Sequence, residues 1–165
     1  MEFLWSPWRH QYVTSDQTQK PPGCVFCHFA TSTTPEFDAE HFILHRGQHN
    51  FVILNLYPYT TAHLMIVPYT HIAELVSVAK PVSDEMMDLA KFAQQVIGSI
   101  YHPDGYNLGM NLGSAAGAGV AAHLHLHVLP RWKGDANFMT TVGETRVLPE
   151  ALADTYQKLK PHFDL

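Results

Sequence analysis

One stretch of the chain could do chemistry by its spacing alone: His123-Leu124-His125-Leu126-His127-Val128-Leu129-Pro130. In an extended strand alternate residues share a face, so Leu124, Leu126 and Val128 turn toward a core while the three histidines project from the other side. Neighbouring histidines would then stand roughly 7 Å apart, and the outer two roughly 13 Å, too far for one metal ion to collect all three imidazoles. The row must divide its labour. A neutral imidazole is a good nucleophile near pH 7 and can form a phosphoramidate, splitting one hard displacement at phosphorus into two easier ones. The transition state spreads negative charge over phosphate oxygens, which calls for nearby donors rather than a general base. Donors are at hand in Gly113-Ser114-Ala115-Ala116-Gly117-Ala118-Gly119, a backbone bare enough for a ligand to come close. The amides of residues 117–120, with a flanking His of the row, could supply those donors. Phosphoryl or nucleotidyl transfer is the expected reaction class.

A second cluster is weaker by itself. Cys24 and Cys27 form one C-x-x-C, compatible with a redox pair, packed thiols or half of a zinc site. The redox version lacks its usual strand-to-helix setting. A structural zinc needs four nitrogen or sulfur ligands, so two would have to come from elsewhere. The histidines outside the row, His63 among them, share no pattern and read mostly as packed or solvated side chains.

The elements that must position these residues follow from apolar periodicity. Residues 1–35 read as an arm carrying Trp5, Trp8 and the C-x-x-C. Short apolar runs at Phe42-Ile43-Leu44, Phe51-Val52-Ile53-Leu54 and His63-Leu64-Met65-Ile66-Val67 are bounded by Gly, Asn and Pro and predict strands. Two further strands are expected at 106–111 and 123–129, flanking the Gly-rich segment. Between the third and fourth, Met86, Leu89, Ala93, Val96 and Ile100 recur at helical spacing. Ser83 looks like the N-cap of that helix, with Asp84 and Glu85 at its positive end, and Pro103 and Gly105 stop it. A shorter amphipathic stretch runs over 150–158. Together these predict an α+β fold: a five-stranded antiparallel sheet, one long helix and a shorter C-terminal helix.

Composition narrows the partners. At 165 residues and 46% hydrophobic, the chain can bury one real core, which excludes a disordered or collagenous class. Only 15% of residues are charged, which suggests that a partner chain covers one face. Ten Lys and Arg against fifteen Asp and Glu leave a net charge of −5, which argues against long nucleic acids and anionic membranes. It leaves room for a small anionic ligand. No run approaches the roughly 18 apolar residues of a membrane helix. The start, MEFLWSPWRHQ, lacks signal-peptide order, and two cysteines make no disulfide framework, so a cytoplasmic setting is expected.

The row resembles the signature of the histidine triad superfamily, His-φ-His-φ-His-φ-φ with φ apolar, and matches it throughout. The resemblance extends to Asn55-Leu56-Tyr57-Pro58, Ala62-His63-Leu64-Met65-Ile66-Val67-Pro68, Asn111-Leu112-Gly113 and Pro130-Arg131-Trp132. Within the superfamily, Leu4-Trp5-Ser6-Pro7-Trp8-Arg9 and Gly134-Asp135-Ala136-Asn137-Phe138 look most like bacterial diadenosine tetraphosphate phosphorylases and their relatives. The resemblance implies a triad domain over 36–165, a homodimer sharing its sheet, and cleavage of dinucleoside polyphosphates with phosphate or water as acceptor. It assigns the attack on the α-phosphorus to His125 and donation to phosphate oxygens to His127. It gives the ribose to Asn55 and places Asn111, Gly117, Gly119 and Val120 at the nucleotide. Zinc-bearing members use a C-x-x-C, a His after this V-x-P strand and the first triad His, which implies a structural Zn²⁺ on Cys24, Cys27, His71 and His123. One departure stands out. Hydrolytic branches place Gln, and the phosphorylase branch a small hydroxyl residue, where this chain has Gly119. Two other readings use the same residues: a nucleoside phosphoramidate or acyl-adenylate hydrolase, and a nucleotide sensor with incidental turnover.

Overall fold

The computed structural model describes residues 23–136, 138–142 and 148–163. Trp5, Trp8 and Asn137, all part of the resemblance above, lie outside the described residues. Five strands form one sheet: β1 (Ile43–Arg46), β2 (Asn50–Leu54), β3 (Leu64–Pro68), β4 (Gly105–Gly109) and β5 (Leu126–Arg131). Their order is β1-β2-β3-β5-β4 with every neighbouring pair antiparallel, so the expected α+β sheet stands.

Both faces of the sheet are covered, which is why β2 and β3 are buried at every position. Val52, Leu54, Leu64, Ile66, Leu126 and Val128 face one way, onto Met86, Leu89, Ala93 and Ile97 of the long helix. Phe51, Ile53, Met65 and Val67 face the other way and meet Phe26 and Phe29. Those two rings belong to α1 (Val25–Phe29), a five-residue helix inside the stretch read as an arm. The first 35 residues therefore contribute an element that closes the second face. A second short helix, α2 (Pro35–Glu40), follows, with Thr34 accepting from Phe37 N–H as its N-cap. Neither helix has the length that periodicity needs to show.

Arg46 fastens this cover to the sheet. Its guanidinium donates to both Asp38 carboxylate oxygens of α2 and to the Phe29 carbonyl at the end of α1. Both side chains of the ion pair are only 13–14% exposed, so the pair is shielded far better than a surface bridge.

The long helix, α3 (Lys80–Tyr101), begins four residues earlier than the Ser83 cap predicted. Its N-cap is Ala79, and Pro81 sits in the first turn, where its fixed φ suits a helix and its missing N–H costs nothing. Ser83 instead returns its hydroxyl to the Lys80 carbonyl. The helix ends as expected at Tyr101, with His102 in the left-handed region at φ 47°. Glu85 does more than favour a dipole. Its carboxylate accepts from the backbone N–H of Gln48 (2.6 Å) and His49 (2.8 Å) and from the Asn50 amide (2.7 Å), pinning the β1–β2 turn to α3. Burial alone would raise its pKa, but these donations outweigh it and hold the carboxyl below its ordinary value. A Cβ at Gly47 would lie 2.8 Å from that carboxylate, so a side chain there would have to displace Glu85 from the turn.

The C-terminal helix is α5 (Leu152–Leu159), after the short α4 (Phe138–Thr141). It sends Leu159, followed by Phe163, into the α3 side of the core. No helix among the described residues is long and apolar enough to cross a membrane.

Candidate active site

The histidine row keeps its alternation but not its predicted strand. β5 begins at Leu126, so His123, Leu124 and His125 precede the ladder, and Leu124 N–H goes to the Ile72 carbonyl beyond the end of β3. Likewise β4 stops at Gly109, short of Asn111. Leu124, Leu126 and Val128 still enter the α3 core. The three histidines take the opposite side, and all are buried, at 0, 5 and 8% exposure. A solvated polar strand face is therefore excluded.

Each imidazole is held by a different partner, and the partners decide the tautomers. His125 Nδ1 lies 3.0 Å from the His123 carbonyl, which can only accept, so Nδ1 carries the proton and Nε2 keeps its lone pair. His123 Nε2 lies 2.8 Å from the Pro68 carbonyl, so there Nε2 is protonated and Nδ1 is the free ligand atom. For His127 the decision comes through His63. Tyr59 N–H donates to His63 Nδ1 (3.1 Å), so His63 must donate from Nε2 to His127 Nδ1, 2.9 Å away. His127 is left with its proton on Nε2. The row thus offers a nucleophilic nitrogen at His125 and, 4.8 Å away between ring centres, an N–H donor at His127.

Burial sets the charge state. It lowers the pKa of His125, and with neighbouring His125 it lowers His127 to about 4. Both are neutral at pH 7, as a nucleophile and a neutral donor require. The unfolded chain takes up a proton on residue 127 near the ordinary 6.5 while the folded one does not until about 4. Stability is full above 6.5 and falls as pH drops toward 4, by about 3 kcal/mol for this group. Urea unfolding at pH 7.5 and pH 4.5 checks this: His127→Asn should lose less stability between the two than the parent, and an equal loss would contradict it.

His125 and His127 open on a cavity of about 460 Å³. Asn55, Asn111, Gly117, Gly119 and Val120, all singled out from sequence, line it too. Gly117 holds φ 83°, which an L side chain rarely adopts. Asn55 accepts from Tyr57 N–H on its carbonyl oxygen (2.9 Å), and its amide nitrogen lies 3.5 Å from His63 Nε2. Phe26, Phe29, Ile53 and Met65 give the wall an apolar stretch. The Phe26 ring packs 5.0 Å from that of His125. A polar end with nucleophile, donor and amides beside an apolar end suits a nucleoside phosphate. A larger cavity of about 1290 Å³ adjoins it across Tyr59 and contains Trp132, but neither His125 nor His127.

Cys24, Cys27, His71 and His123 converge, with their ligand atoms all within 4.8 Å of one another. Cys24 Sγ lies 3.3 Å and Cys27 Sγ 3.7 Å from His123 Nδ1, and His71 Nδ1 lies 3.1 Å from Cys27 Sγ. A tetrahedron with zinc-to-ligand bonds of 2.0–2.3 Å has edges of about 3.3–3.8 Å, so two sulfurs and two imidazole nitrogens at these separations suit zinc after a small closure of the widest pair. Burial and the adjacent Cys24 push the Cys27 thiol up, so Cys27 needs a nearby positive charge to be held as a thiolate. The Pro68 carbonyl supplies the outer support that a metal-bound histidine uses.

Comparison with known proteins agrees with this geometry. Residues 36–134 match the HIT domain family. The chain belongs to the HIT domain family. It is 39% identical over 161 residues to a Mycobacterium tuberculosis protein named AP-4-A phosphorylase, covering 96% of this chain and 83% of that one. Among solved structures it resembles a zinc-bound histidine triad family protein from Mycobacterium smegmatis, with TM-score 0.68, 26% identity, and 86% and 93% of the two chains covered. It shares its fold with a Plasmodium falciparum diadenosine triphosphate hydrolase, with TM-score 0.61, 14% identity, and 74% and 76% covered.

His63 reads from sequence as a packed, hydrogen-bonded residue rather than a ligand, with no link to the row. His63 is packed, at 1% exposure, but it also sets the proton position on His127. The signal lay in pairing: Met65 faces His127 across β3 and β5, so His63 is its diagonal neighbour on the same face.

Proposed function

We propose that the chain cleaves dinucleoside polyphosphates by transferring a nucleotidyl group through His125. The observation that carries the reading is the His125 Nδ1 to His123 carbonyl bond, which leaves Nε2 as a lone-pair nucleophile at the cavity. Nε2 attacks the α-phosphorus, an N–P bond forms, and the P–O bond to the polyphosphate breaks with its electron pair leaving on oxygen. His127 Nε2–H and the amides around Gly117 and Gly119 meet the charge that develops on the oxygens. The acceptor oxygen then attacks phosphorus, the N–P bond breaks with its electron pair returning to His125 Nε2, and a water acceptor loses its proton to solvent. Asn55 and Asn111 orient the nucleotide. The relative named AP-4-A phosphorylase supports this substrate class.

The acceptor is phosphate or water. Phosphate is a dianion that must be held and aimed, whereas water needs little more than space. Gly119 offers no hydroxyl but lets backbone come close, so phosphate should be accepted weakly beside hydrolysis. Diadenosine tetraphosphate incubated with labelled phosphate should put part of the label into ADP, alongside unlabelled AMP. No label in ADP at tens of millimolar phosphate would make this a hydrolase. No cleavage at all, with cleavage of a nucleoside phosphoramidate or acyl-adenylate, would favour that reading of the same His. Binding without turnover of any adenylyl donor would favour a sensor.

The four-ligand cluster is proposed to hold a structural Zn²⁺, which supplies charge to fix the thiolates and ties α1 to the sheet. A reducing, cytoplasmic setting would keep both thiols available for it. A homodimer is part of the proposal. β4 is an edge strand, and Leu108 and Leu112 on and beside it are 40 and 42% exposed. Pairing of two β4 edges would cover them. Light scattering should give twice the chain mass, and a monomer at micromolar concentration would refute it.

A further inference from the structure

We propose that metal occupancy at Cys24, Cys27, His71 and His123 sets the affinity of the cavity for nucleotide. The inference rests on the nucleotide reading above. One segment serves both sites. Gly23, Cys24, Val25 and Phe26 line the cavity beside His125, and Cys24 and Cys27 are half of the metal cluster. The Phe26 ring lies 5.4 Å from His123, a ligand, and 5.0 Å from His125. His123 also gives its carbonyl to His125 Nδ1, a second route between the sites.

The segment is short of support of its own. Its helix has five residues and no side-chain cap at Cys24. A helix of that length is far below what holds itself in water. Arg46 secures the far end through the Phe29 carbonyl. At the near end the tie runs from the two sulfurs to His71 and His123, across the sheet from a different part of the chain. A metal ion makes that tie firm and so orders the cavity wall. A nucleotide packing on Phe26 orders the same residues. Whichever binds second finds the segment already ordered, so each strengthens the other, and the factor must be the same in both directions.

The test uses AMP and zinc alone. AMP is titrated calorimetrically into zinc-loaded and chelator-stripped protein, and zinc affinity is measured against a competing chromogenic chelator with and without saturating AMP. Both affinities should shift by the same factor, about tenfold, within the usual range of coupling between sites. His71→Ala provides a variant that keeps the cavity wall, since His71 is exposed and does not line it. Its AMP affinity should be low at limiting zinc and recover in excess zinc. If stripping unfolds the parent, this titration decides. Equal AMP affinity with and without zinc, in parent and variant, overturns the coupling and leaves the function intact. Failure of AMP to bind the zinc-loaded protein overturns the proposed function, and the coupling with it.

Discussion

His125→Ala lowers turnover of diadenosine tetraphosphate by on the order of 10⁴–10⁶ while AMP still binds. The size follows from what is lost. Without the imidazole there is no N–P bond to form, and the reaction reverts to a single displacement by an acceptor that the site does not activate. Binding survives because the apolar wall of Phe29, Ile53 and Met65 and the polar edge of Asn55 and Asn111 do not depend on residue 125. Steady-state kinetics with AMP titration separates the two. A folded variant within tenfold of the parent would refute the assignment of His125.

The second large effect is on the metal. Purified protein should carry about one zinc per chain, and Cys24→Ser should lose it together with thermal stability. Serine keeps the size and the hydrogen-bonding capacity of the side chain but is a far poorer zinc ligand. Both sulfurs face His123 Nδ1, at 3.3 and 3.7 Å, so losing one leaves the other three ligands without a full set. Elemental analysis of protein made without chelators, with a thermal melt of both forms, gives the answer. No metal in the parent would make the cysteines packing residues.

How much of this was legible in the sequence depends on the range of the interaction. The alternation of His and Leu through residues 123–128 is a local property of an extended chain, and the burial of Leu124, Leu126 and Val128 follows it. The division of labour was legible too, because imidazoles spaced along a strand cannot share one ion. The protonated nitrogens were not. Those of His123 and His127 depend on the Pro68 carbonyl and on Tyr59 and His63, residues far along the chain that sheet register brings near, whereas that of His125 is set by the His123 carbonyl two residues away. α1 was missed for a similar reason: Val25–Phe29 has no cap or periodicity and is helical because Phe26 and Phe29 dock on the sheet. The start of α3 was misplaced because Ser83 looks like a cap, while Pro81, two residues earlier, marks the true first turn. Asn55, Asn111, Gly117, Gly119 and Val120 came from resemblance, and the cavity brings them together with His125.

The covalent intermediate is the centre of the account, and trapping it is the most direct test. Protein mixed with diadenosine tetraphosphate labelled in adenine is quenched within one turnover under mild alkali, digested and mapped by mass. The account predicts an adenylyl group on the peptide carrying His125, rising before steady state and discharged into AMP or ADP when acceptor is present. Products accumulating with no labelled peptide, or with the label on another residue, would contradict it.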